Sequence, residues 1–414
     1  MFYYMHNEKL LISDEKYRNL KELSESEAEK YKGNIFALGK LSPEHARRSF
    51  SVSHENFLFI KEENLNLLVK PITPNMSIPQ WLKLAIADNR VTSLNTQYPN
   101  WQDVLTYNRP NKWRINVVGL GDVGGTLLTG LKLLGVEKIH SLGLFDKNTS
   151  RMERYKYELS QILSPDMKES SIDIISLKEE DVFDCDMFVF CVSVGVPEVG
   201  KESDDVRLIQ FKGNAKIIGH YATLARTKNF KGLFAVVSDP VDFLCKTAFI
   251  ESNKDSNLNM DFKGLAPEQI KGYGLGVMNA RACYYASKQD DTKHYMHEGR
   301  AFGPHGEGLI IADSIEHYNE VLSDALTHKA KTANLEIRST GFKPYIAPAL
   351  SSGSLSILAT INSQWHYSAT FIGGTFMGCK NRLLPSGIEL ETLDLNESLL
   401  SKLNSTYKLL SDFI

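Results

Sequence analysis

The stretch that most constrains the fold is "WRINVVGLGDVGGTLLTGLKLLGVEKIHSLGLFD", residues 113–146. It opens on an apolar run, meets a cluster of glycines, continues as an apolar helical segment closed by Gly135, and ends in a second apolar run at Asp146. Short apolar runs alternating with helical segments predict a parallel sheet covered by helices on both faces. Gly119, Gly121 and Gly124 have G-x-G-x-x-G spacing between the predicted strand and the predicted helix. Gly119 permits a tight turn, Gly121 lets backbone approach a pyrophosphate, and Gly124 lets helix and strand pack closely. The phosphates would lie at the positive end of the helix dipole, beside Asp122 and Val123. Asp146 follows Gly124 by 22 residues. A carboxylate there accepts hydrogen bonds from an adenosine ribose and repels a 2′-phosphate, which predicts NAD as cofactor rather than NADP.

Bulk properties narrow the class. The 414 residues suffice for two or three domains. Hydrophobic residues at 42% and charged residues at 23% suit a globular protein, and a net charge of -3 gives no electrostatic reason for nucleic-acid or membrane binding. The N-terminal residues MFYYMHNEKL lack a signal-peptide core, so a cytoplasmic location is expected. Five separated cysteines predict reduced, buried thiols, and no spacing suggests a metal site.

Residues 1–113 have a different rhythm and read as a small α+β addition with a linker at 92–113. The pattern predicts a polar helix over 14–32, a helix start at Ser42–Pro43, two strands within 57–70 and a helix in "IPQWLKLAIAD". With 15 Lys+Arg and 13 Asp+Glu this segment is no charged arm. It reads as a packing or oligomer-stabilising addition, or as a strand edge for a partner protein or peptide.

Downstream, a histidine sits in "AFGPHGEG", residues 301–308, among glycines and a proline. Together with other segments it resembles the lactate/malate dehydrogenase family. "DMFVFCVSVGVP" resembles the strand and loop that cover the cofactor, with Ser193 and Gly195 on the loop. Asn214 in "FKGNAKII" looks like the family's asparagine in the following helix. "VVSDPVDFL" resembles V-x-N-P-V-D, with Asp239 at the asparagine. "KGYGLGVMNAR" resembles the segment ending in a substrate-binding arginine, here Arg281. "GPHGEG" resembles the turn that carries the proton-transferring histidine, here His305. "KPYIAPALSS" and "ATFIGGTFMG" resemble a late helix and a C-terminal hairpin. The resemblance runs from about residue 114 to the C-terminus. It implies a Rossmann-type NAD-binding domain over 114–240 and a mixed α+β catalytic domain over 241–414, in an α/β chain that assembles as a homo-oligomer. It also implies NAD-dependent interconversion of a 2-hydroxy acid and a 2-keto acid, with His305, Arg281 and Asp239 at the chemistry.

Three positions depart from the family pattern. The family's aspartate three residues before the arginine is Met278, which neither orients nor stabilises a charged histidine. Asp239 would repel a substrate carboxylate and a developing oxyanion unless it partners His305. In the loop "GVPEVGKESDDV", Glu198 and Ser203 stand where polar anchors are expected, with Lys201 as an alternative cation. Two readings follow. One is an enzyme with altered specificity for a bulky, basic or peptide-linked keto or hydroxy acid, with Asp239 serving His305. The other is a catalytically decayed NAD-binding regulatory or scaffold protein. The glycine-loop segment also resembles the start of adenylate-forming activating enzymes, a more remote reading because no C-x-x-C follows.

Overall fold

The computed structural model describes residues 1–74, 76–163, 165, 172–194 and 204–412, with side chains of 204–210 excepted. Among the described residues, seventeen strands form three sheets. The first sheet is N-terminal. It contains β1 (Phe2–His6), β2 (Lys9–Ser13), β3 (Lys21–Leu23), β4 (Ile35–Gly39), β5 (Ser49–Ser51) and β6 (Val91–Asn95), in spatial order β3-β1-β2-β4-β6-β5. β2, β4 and β6 run parallel. Two helices accompany it, α1 (Glu25–Ala28) and α2 (Gln80–Ala87). The helix expected in "IPQWLKLAIAD" is α2, which buries Leu82, Ala85 and Ile86 on one face.

Other N-terminal expectations fail for local reasons. Residues 14–32 form β3 and a single turn, α1. Ser24 and Glu27 make a capping box that starts the helix only at 25, and the amide of Tyr17 is taken by the Tyr4 hydroxyl. The segment after Pro43 makes a turn rather than a helix, because the Tyr98 hydroxyl occupies the carbonyls of Pro43 and Ala46 at 2.8 Å each. Residues 57–70 hold no strand pair. His54 and Asn64 accept amides two residues on, opening short 3-10 turns at 55–57 and 65–68 that bury Leu65, Leu67 and Leu68. The strand edge expected there is therefore absent.

The connection after β6 contains α3 (Asp103–Thr106) and is pinned by Arg109. Its guanidinium donates to the carbonyls of Thr360, Ile361 and Leu383 and to the Ser363 hydroxyl. Arg48 also pairs with Glu268 at 3.0 Å, and Thr92 donates to the Ser386 carbonyl at 2.9 Å. The N-terminal sheet is thus fastened to the rest by buried polar contacts.

The second sheet has nine strands. Its parallel part is β7 (Trp113–Val118), β8 (Ile139–Phe145), β9 (Asp173–Ser176), β10 (Met187–Phe190), β11 (Leu233–Val236) and β12 (Ile270–Gly272), ordered β9-β8-β7-β10-β11-β12. That is the doubly wound order 3-2-1-4-5-6 expected for a Rossmann-type domain. Helices α4 (Asp122–Leu134), α5 (Thr149–Ser160), α6 (Asp204–Thr227) and α7 (Val241–Ser252) connect these strands. Apolar cores lie on both faces, one around Phe188, Phe190 and Phe234, the other around Ile115, Val117 and Leu142.

The C-terminal part contributes α8 (Leu275–Ala286), α9 (Tyr295–Glu298), the small hairpin β13 (Arg300–Phe302) and β14 (Ile310–Ala312), α10 (Glu320–Ser339), α11 (Leu355–Ile361) and α12 (Glu397–Asp412). A π-helical segment at 348–354 precedes α11. The antiparallel strands β15 (His366–Ile372), β16 (Thr375–Leu384) and β17 (Gly387–Leu390) extend the large sheet beyond β12. No described helix is long and apolar enough to cross a membrane.

Candidate active site

Ligand crevices in doubly wound sheets open at the carboxyl ends of the strands, where the strand order reverses. Here that point lies between β7 and β10. Gly119 follows β7 with φ +91°, and a Cβ there would lie 2.8 Å from the Cys191 backbone carbon just past β10. At Gly124 a Cβ would come within 2.0 Å of the Gly119 carbonyl oxygen. Gly121 differs, since a Cβ there meets nothing within 4 Å. It is the N-cap of α4, and no side chain caps that helix start. A helix start with no side-chain cap among the described residues and open space beside its N-cap fits a pyrophosphate. Asp122 and Val123 stand in this first turn.

Asp146 lies just past β8, and its side chain is 11% exposed. Its carboxylate accepts the Leu120 amide at 2.8 Å and pairs with Arg151 at 3.3 Å. This holds the glycine loop against β8 while leaving the acid beside the loop. Ser193 lies on the exposed segment after β10. Gly195 falls outside the described residues, as do Glu198, Lys201 and Ser203.

Asn214 is fully buried on α6. Its Oδ1 accepts the Val194 amide and its Nδ2 donates to the Asp239 carbonyl, both at 2.8 Å. The side chain therefore ties the start of the loop after β10 to the turn after β11.

His305 sits at the tip of the β13–β14 hairpin. Gly303, Gly306 and Gly308 take φ of +83°, +144° and +84°. These are conformations that L side chains rarely adopt, which explains the density of glycine around the histidine. The hairpin base is fixed by the Gly303 amide to the Gly378 carbonyl at 2.8 Å and by the Thr406 hydroxyl to the Gly308 carbonyl at 2.9 Å. The turn delivers His305 Nδ1 to Asp239, 2.9 Å from Oδ1 and 3.1 Å from Oδ2. Among the described residues nothing bonds Nε2.

Arg281 projects from α8, whose N-cap, Gly274, packs against His305. Its Nη1 approaches the Met278 sulfur at 3.5 Å and the Ala330 carbonyl at 3.4 Å. Burial lowers the pKa of Arg281, and the charge of Asp239 opposes that shift. Among the described residues no carboxylate pairs with this guanidinium. Met278 is 1% exposed and part of an apolar cluster, and it offers His305 no carboxylate.

Sequence reasoning missed Asp242. It lies in the first turn of α7, 5% exposed, with Oδ1 buried and unpaired among the described residues. Burial raises its pKa to about 7; the charge of Asp239 adds to this and that of His305 opposes it. The signal was in "SDPVDFL": a second carboxylate three residues on falls inside the same helix start.

Residues 113–261 match the model of the lactate/malate dehydrogenase NAD-binding domain. The chain is 25% identical over 281 residues to a malate dehydrogenase from Aliarcobacter butzleri, covering 64% of this chain and 82% of that enzyme. It is 21% identical over 322 residues to L-lactate dehydrogenase 2 of Staphylococcus aureus, covering 72% and 95%. The fold matches a lactate dehydrogenase from a Medee basin deep-sea metagenome with a TM-score of 0.58, at 21% identity, covering 73% of this chain and 97% of that one. It also matches the malate dehydrogenase of Picrophilus torridus with a TM-score of 0.56, at 17% identity, covering 72% and 94%. Residues 113–261 thus match the NAD-binding domain of the lactate/malate dehydrogenases, and over most of its remaining length the chain is similar to these NAD-dependent oxidoreductases that act on CH–OH groups.

Proposed function

We propose that the chain interconverts a 2-hydroxy acid and a 2-keto acid, using an Asp239–His305 dyad and Arg281. The observation that carries this reading is the contact between His305 Nδ1 and Asp239. A carboxylate accepting the Nδ1 proton fixes the tautomer, so the exchangeable proton stands on Nε2. It also stabilises the imidazolium formed when a hydroxyl is deprotonated. In the reductive direction the same imidazolium donates to the carbonyl oxygen, where negative charge grows. Arg281 grips the substrate carboxylate with its planar fork. The half-buried guanidinium, with no carboxylate paired to it among the described residues, favours an ion pair supplied by the ligand. When NADH is bound, its nicotinamide supplies the hydride. The residues that would hold it are Gly119, Gly121, Asp122, Val123, Gly124, Asp146, Ser193, Gly195 and Asn214.

Asp239 also bears on specificity. It places a negative charge near the anchor for the substrate carboxylate, so a second anionic group on the substrate is disfavoured. Monocarboxylic keto acids with a neutral, bulky or basic remainder suit the site, including peptide-linked ones. Dicarboxylates do not. The N-terminal sheet, fastened through Arg48 and Thr92, fits the role of a stabilising addition within a homo-oligomer.

The test is calorimetric NADH binding followed by a panel of 2-keto acids that includes glyoxylate, oxaloacetate and bulky, basic and peptide-linked members. Turnover of monocarboxylates supports the reading. NADH binding without turnover of any keto acid would favour a binding-only protein.

A further inference from the structure

The start of α8 lacks a cap of its own. Its N-cap is Gly274, and no side chain in that turn satisfies the first helical amides. The missing partner comes from the π-helical segment at 348–354. Ser352 Oγ accepts the Val277 amide at 2.8 Å and donates to the Gly274 carbonyl at 2.8 Å. One hydroxyl, with one proton and two lone pairs, satisfies both. Ser352 is 2% exposed, and Val277 is 1% exposed, so no water replaces these bonds. Val277 and Arg281 are four residues apart on α8, hence on one face, one turn apart.

The segment that carries Ser352 is wedged between two helices, and a glycine on each makes room. At Gly276 on α8 a Cβ would lie 2.7 Å from the Ser351 carbonyl and from the Ser356 hydroxyl. At Gly130 on α4 it would lie 2.3 Å from Ser354 Oγ. The same segment therefore contacts the helix that opens at the glycine loop and the helix that carries Arg281. A π-helical turn is uncommon, and such turns recur near functional sites.

We infer that Ser352 is a positioning residue for Arg281: it caps α8 from a neighbouring helix and fixes the turn that carries the guanidinium into the site. This rests on the reading that Arg281 anchors a substrate carboxylate. Ser354 provides a matched control. It lies in the same π-helical segment, fully buried, and its hydroxyl has no partner among the described residues. Ser354→Ala removes the same atom without removing a cap.

The experiment compares wild type, Ser352→Ala and Ser354→Ala in three measurements. They are amide hydrogen exchange across residues 275–283, NADH titration, and steady-state reduction of glyoxylate, the smallest 2-keto acid. Ser352→Ala is expected to speed exchange at 277–281 at least 10-fold. It should raise the KM for glyoxylate about 10-fold with kcat changed less than 3-fold and NADH affinity unchanged. Ser354→Ala should match wild type throughout. Unchanged exchange in Ser352→Ala overturns the inference, and so does an equal effect of Ser354→Ala or a fall in kcat without a change in KM. If wild type does not reduce glyoxylate but does reduce another keto acid of the panel, KM is read with that acid. If it reduces none, the proposed function fails, and the exchange measurement alone decides whether Ser352 holds the turn. Should Ser352→Ala not fold, Ser352→Cys, with a weaker donor and acceptor of similar shape, carries the same comparison.

Discussion

His305 and Asp239, 66 residues apart in sequence, meet at 2.9 Å between Nδ1 and Oδ1. The partner expected on α8 is absent, because position 278 is a buried methionine. The carboxylate that faces His305 Nδ1 comes instead from the turn after β11. Asparagine at 239 would keep the shape and remove the charge. Asp239→Asn should lower kcat for a monocarboxylic keto acid by about 10²–10⁴-fold, the usual worth of general acid–base assistance, with little change in NADH affinity. Stopped-flow NADH oxidation measures the first and titration the second.

Two glycines of the same loop should respond differently to alanine. Gly121→Ala meets open space, so thermal stability should hold while NADH binding weakens at least 10-fold, the methyl standing where the pyrophosphate approaches. Gly124→Ala drives a Cβ to 2.0 Å from the Gly119 carbonyl. It should lose stability as well as cofactor affinity, by about 1–3 kcal/mol as for other overpacked sites. Calorimetric melting with and without NADH separates the two.

Asp242 should make stability depend on pH. Its pKa is raised by burial from 3.8 to about 7, so between those values the folded chain holds a proton that the unfolded chain has released. Its contribution to stability therefore falls as pH rises from 4 to 7 and is lowest above 7. At about 1.4 kcal/mol per unit the whole effect is on the order of 4 kcal/mol. Asp242→Asn, which cannot ionise, should gain stability over wild type progressively from pH 5 to pH 8. Urea melts across that range check it, and a constant difference between the two proteins contradicts it.

Asp146 should set the choice between dinucleotides. Wild type is expected to bind NADH at least 10-fold more tightly than NADPH, since the carboxylate meets the 2′ position. Asp146→Ser removes the repulsion and leaves Arg151 without its partner. The NADH preference should then shrink toward parity in competitive titrations.

In the doubly wound half, β7, β8 and β10 were legible as short apolar runs, the first closed by the glycine loop, whereas β9 is a largely exposed four-residue strand without that signal. The N-terminal sheet was not legible. Its strands are three to five residues long, and side chains such as His54, Asn64 and Tyr98 take backbone groups that helices or strands would otherwise use. In the site, the glycines around His305 showed a constrained turn, and the resemblance placed Arg281. The sequence allows Asp239 to pair with His305 without requiring it, since the two lie 66 residues apart and meet only through the fold. The "SDPVDFL" stretch places Asp242 at a helix start, but its burial, like the capping of α8 by Ser352, depends on long-range packing.

Whether Asp239 serves His305 in place of an acid at position 278 is decided by stopped-flow NADH oxidation with one monocarboxylic keto acid, using wild type, Met278→Asp, Asp239→Asn and the double variant. Two carboxylates sharing one imidazole repel each other, and one of them tends to stay protonated. If Asp239 serves His305, Met278→Asp gives no gain, Asp239→Asn loses turnover, and the double variant, with its acid on α8, recovers part of it. A rate increase in Met278→Asp alone, with Asp239→Asn as fast as wild type, would contradict it.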